Sequence, residues 1–267
     1  MKSESFSLRA DAAVHADHRA TYLAQLVAPM DDMWATFADM AAPHALMMGE
    51  QVVGSCCVDE EGQLLRFYVQ PRFQHHATAL LRMALGELEA ARLIVCTLDP
   101  GYLSAALDLA TKVESHTLLF APVTEPEGPG LQDLVLGDSG DHQRIVDFQA
   151  EAIGAPREFL DYYVRERLKR QEMLLFEEGS ELVSVGELRR DPQQPGIAHV
   201  GMVVHAEQRG KGIGSRMLSS LVTRTRAEGL APHCSTAVAN FAARRAIERA
   251  GFRANHRLLR VEFSLEN

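Results

Sequence analysis

The run from Gln208 to Ser215, QRGKGIGS, combines three glycines with two basic residues. Glycine lets peptide N–H groups approach a ligand closely and lets the chain turn with positive φ, because it has no Cβ. The run lies between a strand-like stretch and an amphipathic helix. The first turn of a helix carries unpaired N–H groups and a partial positive charge, and therefore binds anions such as a diphosphate. Arg209 and Lys211 add positive charge at the same place.

The glycine spacing alone leaves a second interpretation open. It matches neither the GxxxxGK[ST] loop of nucleotide hydrolases nor a complete GxGxxG fingerprint. A tight turn between a strand and a helix, with solvated basic side chains, explains the same residues equally well. The sequence around the run favours the ligand site.

The second half of the chain resembles the GNAT superfamily of N-acetyltransferases. The family signature is a strand ending in V-x-P/A, followed by [QR]-x-x-G-x-[GA] at the start of a helix, and here it reads VHAEQRGKGIG from Val204 to Gly214. A second family pattern, an asparagine followed along a helix by a tyrosine and, after three more residues, by Gly-Phe, is matched at Asn240, Gly251 and Phe252. The resemblance extends over residues 138–263.

The resemblance implies an acyltransferase that uses acetyl-CoA as its co-substrate. Backbone amides from Gly210 to Ser215 would hold the pyrophosphate, main chain from Met202 to Val204 would pair with the pantetheine arm, and Asn240 would bond that arm. The 3′-phosphate would lie near Arg244 or Arg245, unless these only form a solvated helix face. The implied cofactor-binding residues are Met202, Val203, Val204, Arg209, Gly210, Lys211, Gly212, Ile213, Gly214, Ser215 and Asn240.

The chain departs from the family where proton transfer would occur. Ile247 occupies the position of the tyrosine that often protonates the leaving thiolate, and the positions of two acidic residues fall on Ser235 and near Ala198. A weakly basic acceptor, a histidine base or a water relay would each remove the need for such a carboxylate.

Candidate catalytic residues follow from strand periodicity. His233 and Ser235 lie on the same face of one predicted strand, and His199 lies in the strand that carries the cofactor segment. Histidine titrates near neutrality and is a common general base. A lone histidine is more often a satisfied structural residue, so that interpretation stays open for each. His205 and Glu187 are further candidates.

Hydrophobic patterning and turn residues predict a regular series of elements in the second half. Asp138 or Ser139 caps a helix through Ile145, and Pro156 opens the next. Three short strands follow, then a long amphipathic helix, a strand, a helix and a last strand. The predicted spans are strands 173–178, 181–188 and 197–204, helix 212–228, strand 233–238, helix 240–250 and strand 257–263.

The first half shows the same order, which predicts an internal repeat. Its helices are predicted at 15–27, 31–40, 78–91 and 103–111, and its strands at 45–48, 52–58, 64–69, 93–98 and 117–120. With Val69 placed on Val204, residues 74–79 replace Arg209 to Gly214 and all three glycines are lost. Further along, Gly101 falls on Asn240. We therefore expect a degenerate domain that has kept the fold and lost the cofactor loop, in which His75 and His76 are solvated turn residues.

The sequence predicts an α/β (α+β) protein with two tandem GNAT-like domains. Each would have a mixed, mostly antiparallel central sheet flanked by helices. Residues 123–132, which are rich in proline, glycine and glutamate, form a predicted linker. The degenerate domain would cover residues 1–122 and the acetyltransferase domain residues 133–267.

Composition limits the partners. The formal net charge is −9 at pH 7, which disfavours binding to nucleic acid or to an anionic membrane. No apolar segment is typical of a signal peptide or a membrane span. The four cysteines show no CxxC pair, so we expect reduced thiols, a cytoplasmic protein and no metal site. The expected partner is a small-molecule or peptide amine, and a homodimer stays open.

Two functions remain open from the sequence. The first is acetyl transfer from acetyl-CoA to an amine in the C-terminal domain. The second is an acyl-CoA-binding sensor or scaffold without turnover, which the missing acid and base favour.

Overall fold

A computed structural model describes residues 5–265. They form two compact units. The first contains the chain up to Leu118 and the segment from His256 onward, and the second contains Leu119–Asn255. Helices pack on a mostly antiparallel sheet in each unit, as the sequence predicts.

The first unit has the predicted order of elements and one further strand at its start. Strands β1 to β4 pair antiparallel in sequence, β4 pairs parallel with β5, and β5 pairs antiparallel with the last strand of the chain. Its elements are β1 Phe6–Ala10, α1 Val14–Gln25, α2 Asp32–Met40, β2 Ala42–Met48, β3 Gln51–Val58, β4 Gln63–Val69, α3 Ala77–Glu87, β5 Arg92–Cys96, α4 Pro100–Leu107 and β6 Ala110–Pro122, the last of which continues into the second unit.

The second unit repeats this series. Strands β7 to β10 pair antiparallel in sequence, and β10 pairs parallel with β11. Its elements are β7 Val135–Leu136, α5 His142–Ile153, α6 Arg157–Lys169, β8 Met173–Glu178, β9 Glu181–Arg190, β10 Ile197–Val204, α7 Ile213–Ala227, β11 Ala231–Ala237, α8 Phe241–Arg249 and β12 Phe252–Phe263, whose last residues belong to the first unit.

Two hydrophobic layers fix the sheet of the second unit. On one face, α5 and α6 bury residues such as Ile145 and Val164 against β8 and β9. On the other face, α7 lies so close to β9 that a Cβ added at Gly186 would be 2.6 Å from Met217 Sδ. The close approach of α7 holds its N-terminus near the end of β10.

The C-terminal strand differs from the division that the sequence predicts. Residues from His256 onward cluster with the first unit, because Leu258–Val261 pair with Leu93–Cys96 of β5. Backbone hydrogen bonds can add a strand to any open sheet edge, and the side-chain pattern does not specify which edge. The predicted domain boundaries therefore stay a prediction at this end of the chain.

Residues 123–134 contain no helix or strand, as their composition predicts. They are nevertheless held against the second unit. Leu131 is buried, its N–H donates to the Arg216 carbonyl oxygen at 3.3 Å, and its own carbonyl accepts from Ser220 Oγ at 3.0 Å.

Equivalent hydrogen bonds confirm the internal repeat. The N–H of Gln70 donates to Val53 O at 2.9 Å, and the N–H of His205 donates to Val183 O at 3.0 Å. Four residues later in each turn, Gln74 Nε2 donates to Val69 O at 2.7 Å, and Arg209 Nε donates to Val204 O at 3.2 Å. The alignment of Val69 with Val204 is therefore correct.

The later part of the predicted alignment is wrong by two positions. Asp99 caps α4 by accepting from Tyr102 N, and Asn240 caps α8 in the same way by accepting from Ala243 N. Asp99, rather than Gly101, is thus the counterpart of Asn240. The helix predicted at 103–111 also starts earlier, since Pro100 follows the cap and suits the first turn.

Candidate functional site

A cavity of about 690 Å³ opens in the second unit between the end of β10, the start of α7 and the helix α8. We call it the glycine-turn cavity. Ten of the predicted cofactor-binding residues line it: Met202, Val203, Val204, Arg209, Gly210, Gly212, Ile213, Gly214, Ser215 and Asn240. Lys211 is exposed and does not line it, and its Nζ donates to Gln208 Oε1 at 2.7 Å.

The three glycines of the turn serve two different structural purposes. Gly210 and Gly212 have φ of +79° and +80°, a backbone conformation that residues other than glycine rarely adopt. Gly214 is instead closely packed, since an added Cβ would lie 3.1 Å from Met202 Cε. The first two glycines shape the turn, and the third brings the helix start against β10.

The start of α7 is suited to bind an anion. Gly212 occupies the N-cap position and offers no side chain to the helix, so no side-chain cap satisfies the first N–H groups in this part of the structure. Ile213, Gly214 and Ser215 form the first turn and line the cavity. Their peptide groups and the helix dipole together form a site for a phosphate or diphosphate.

Strand β10 has an open edge beside this helix start. Its parallel ladder with β11 runs from Ile197↔Ala231 to His199↔His233, whereas its ladder with β9 continues to Val204↔Ser184. Beyond His199 the edge that faced β11 is available to pair with an extended ligand. Met202 to Val204 line the cavity along this stretch.

The charge of the cavity is positive in an otherwise acidic chain. Arg209, Arg245 and Arg249 line it, and no acidic residue is among the lining residues that the structure describes. Asn240 lines it as well, but its side-chain oxygen accepts from Ala243 N at 3.1 Å to cap α8. Its amide group can therefore donate to a ligand from a fixed position.

The three predicted catalytic residues do not line the cavity. His199 is 1% exposed and its Nε2 lies 3.0 Å from Asp191 Oδ2. Burial raises the pKa of Asp191, but hydrogen bonds from His199 and the local backbone outweigh this and leave the pKa below its usual value. His233 is half-buried beside His199, with ring centroids 6.5 Å apart, and Ser235 is half-buried two residues further along β11. Their catalytic role stays a prediction.

A buried polar cluster between β9 and the helices α5 and α6 surrounds Glu187, one of the further candidates from the sequence, with three residues that the sequence did not single out. Glu187 Oε2 accepts from Tyr163 Oη at 2.6 Å and lies 3.3 Å from Arg189 Nη1, while Gln149 Nε2 lies 3.4 Å from Oε1. Burial, above all, raises the pKa of Tyr163. We call Gln149, Tyr163, Glu187 and Arg189 the carboxylate cluster. The signal in the sequence is a charged residue, Glu187, directly after the largely apolar run LVSVG of strand β9.

The cysteines are free thiols, as expected. All four are buried, and burial raises the pKa of Cys57 and of Cys96 to about 12. Thiols that stay protonated at neutral pH are poor nucleophiles.

Comparison with known families decides what this arrangement is. Residues 14–123 match the family described as Acetyltransferase (GNAT) domain, and residues 142–252 match the family described as Acetyltransferase (GNAT) family. The chain carries two GNAT domains in tandem. The search of the curated proteins found no match.

Solved structures extend the likeness of the two GNAT domains over the whole chain. An acetyltransferase from the GNAT family from Colwellia psychrerythraea is 28% identical with a TM-score of 0.90, and the match covers 97% of this chain and 100% of that chain. A GCN5-related N-acetyltransferase from Sphaerobacter thermophilus shares the fold at 16% identity and a TM-score of 0.69, over 98% and 96%. A tandem GNAT protein from the clavulanic acid biosynthesis pathway does so at 16% identity and 0.65, over 99% of both chains.

The first GNAT domain lacks the glycine turn, as the sequence predicts. A short 3₁₀ helix, Pro71–His76, leads into α3, and Ala77 is buried at the helix start. The rings of His75 and His76 lie 3.9 Å apart at this turn. The same fold is therefore present without a glycine-lined helix start.

Among the residues that the structure describes, no helix is long and apolar enough to cross a membrane.

Proposed function

We propose that the second GNAT domain transfers the acetyl group of acetyl-CoA to an amine. One observation carries the proposal: a single cavity joins the glycine turn at the start of α7 to the open edge of β10. An acyl-CoA needs both features, because its diphosphate is anionic and its pantetheine arm is an extended chain with amide groups. The cavity volume lies in the range that holds cofactors.

In this proposal the chemistry is direct transfer. The neutral acceptor nitrogen forms a bond to the thioester carbonyl carbon, and the carbon–sulfur bond breaks. The nitrogen loses a proton, the CoA thiolate gains one, and the products are the acetylated amine and CoA. Main chain of Met202 to Val204 would orient the thioester, and such alignment of reactants is worth up to roughly 7–11 kcal/mol.

We assign the proton acceptor to His233 rather than to His199 or Ser235. His233 is half-buried at the level where β10 and β11 part, whereas His199 is buried and bonded to Asp191. Serine is too weak a base at neutral pH to act alone. A His233→Gln variant should lose the acidic limb of the pH profile of kcat.

One observation favours the sensor function as a second candidate. The titratable side chains among the described lining residues are arginines, which neither donate nor accept protons near neutral pH. A protein of this kind would bind acyl-CoA and release no thiol.

Calorimetric titration with acetyl-CoA, followed by thiol-release assays over a panel of amines, tests both functions. Binding with amine-dependent release supports the acetyltransferase. Binding with no release above hydrolysis for any amine favours the sensor, and absence of binding contradicts both. We also propose that the protein acts in the cytoplasm on a small-molecule or peptide amine, in keeping with its free thiols.

A further inference from the structure

The hairpins β3–β4 and β9–β10 are equivalent pair by pair. Gly54 faces Val69 as Ser184 faces Val204, and the next pairs follow in step along both ladders. Three residue pairs further along each ladder, Cys57 faces Arg66 in the first domain and Glu187 faces Gly201 in the second. The repeat therefore exchanges an arginine for a glycine at one defined point of the strand.

In the first domain Arg66 fills this point with a buried cation. Its side chain is 7% exposed, and its Nη1 lies 2.9 Å from Asp39 Oδ1 of α2. Its guanidinium carbon also lies 5.1 Å from the ring centroid of Tyr22 on α1. The space between this strand and its two helices is thus large enough for a guanidinium and polar enough to hold it.

In the second domain the same point is open. A Cβ built on Gly201 meets no described atom within 4 Å, and Gly201 is partly exposed to solvent. Because paired residues of an antiparallel ladder point to the same face, Glu187 projects on the side where the Gly201 side chain would lie. Glycine stands here in place of the arginine of the first domain, and across the ladder lies the Glu187 carboxylate, beside Arg189.

The carboxylate of Glu187 is held in place, but its capacity to accept hydrogen bonds is not filled by the contacts described. Its Oε2 is held by Tyr163 and Arg189, whereas the one contact described for Oε1 is the 3.4 Å approach of Gln149. A carboxylate has about four lone-pair sites, so Oε1 can still accept strong hydrogen bonds. The side chain is 12% exposed, so a ligand entering beside Gly201 can reach it.

We propose that the space beside Gly201 is the acceptor subsite, and that Glu187 binds an ammonium group of the acceptor there. The substrates are therefore cationic amines rather than neutral or acidic acceptors. This inference rests on the proposed acetyl transfer. Its position fits that reaction, because Gly201 directly precedes Met202, where the cavity for the thioester arm begins.

Refilling the space is the first test. Gly201→Arg restores the side chain that the first domain has, and Gly201→Ala adds only a methyl group as a matched control. Putrescine and spermidine serve as cationic probes, and butanediol serves as a neutral analogue of putrescine. Each is titrated by calorimetry into the full chain saturated with CoA and is assayed for thiol release with acetyl-CoA.

The wild type and Gly201→Ala should bind and acetylate a cationic probe and ignore butanediol. Gly201→Arg should lose at least tenfold in affinity for the amine and in kcat/KM for it, while its acetyl-CoA affinity stays unchanged. Equal amine affinity in Gly201→Arg and wild type overturns the subsite. A wild type that binds acetyl-CoA but neither binds nor acetylates either polyamine also overturns it, whereas loss of acetyl-CoA binding in the wild type refutes the proposed function itself.

Removing the charge is the second test. Glu187→Gln keeps the shape of the side chain, and Glu181→Gln removes an exposed carboxylate from the same strand as a control. Glu187→Gln should raise the KM for the amine at least tenfold with the KM for acetyl-CoA unchanged, and Glu181→Gln should change neither. A purely structural carboxylate would lower the melting temperature and leave the amine KM as it was, and that result contradicts the assignment.

Discussion

Arg209 Nη2 donates a hydrogen bond to the main-chain oxygen of Ala152 at 2.6 Å, and so ties the last turn of α5 to the glycine turn. Its Nε also donates to Val204 O at the end of β10. One side chain therefore holds two walls of the glycine-turn cavity, to which both Ala152 and Val204 belong.

Arg209→Ala should weaken acetyl-CoA binding several-fold and lower the free energy of unfolding by about 1 kcal/mol, because hydrogen bonds from a charged donor are lost. Lys211→Ala is the matched control, since Lys211 does not line the cavity. Calorimetry with acetyl-CoA and urea denaturation measure the two effects. An equal loss of affinity in both variants would show that only net charge matters.

Gly212→Glu should abolish acetyl-CoA binding, because a bulky anion would occupy the site proposed for the diphosphate. Gly229→Glu provides the control for backbone strain: Gly229 has φ of +74° and, like Gly212, open space around a built Cβ, but lies after α7. Both variants should lose similar stability, and only the first should lose the ligand. Unchanged affinity in Gly212→Glu would remove the cofactor site from this turn.

His75→Ala and His76→Ala should leave acetyl-CoA affinity unaltered, because the turn of the first domain lacks the glycine-lined helix start. The rings contact one another, and His76 also contacts Phe6 at 5.4 Å between centroids, so a small loss of stability is expected. Titration of each variant with acetyl-CoA is the measurement. A marked loss of affinity would assign ligand binding to the first domain.

Asp99→Asn should stabilise the first domain at neutral pH. Burial raises the pKa of Asp99 from 3.8 to about 6, partly opposed by backbone N–H groups of Tyr102 and Gly101. Between these two pH values Asp99 of the unfolded chain releases a proton that the folded state retains. The contribution of the protonated Asp99 carboxyl to the free energy of unfolding is therefore complete below about pH 4 and is lost as the pH rises through about 6. Asparagine keeps the helix cap, as Asn240 does in the second domain.

The expected gain for Asp99→Asn at pH 7 is about 1–3 kcal/mol, and it should vanish below pH 4. Calorimetric melting at both pH values tests it. A gain of the same size at both would mean that packing, rather than ionisation, causes it.

Local patterns in the sequence determined the site proposed for the cofactor. Strands β8 and β10 have the predicted bounds, and α7 begins one residue after the predicted start. These predictions succeed because side-chain periodicity and the glycines of a turn act over a few residues. The loss of the turn in the first half followed from the same alignment.

Only the tertiary structure decided which distant residues meet. β12 pairs with β5 of the first unit, and the carboxylate cluster joins α5, α6 and β9. The sequence placed His199 among the catalytic candidates, and the fold buries it against Asp191. A sequence pattern states that a residue faces the interior, but its partner depends on how helices pack and which strand edges are open, and those are long-range properties of the chain.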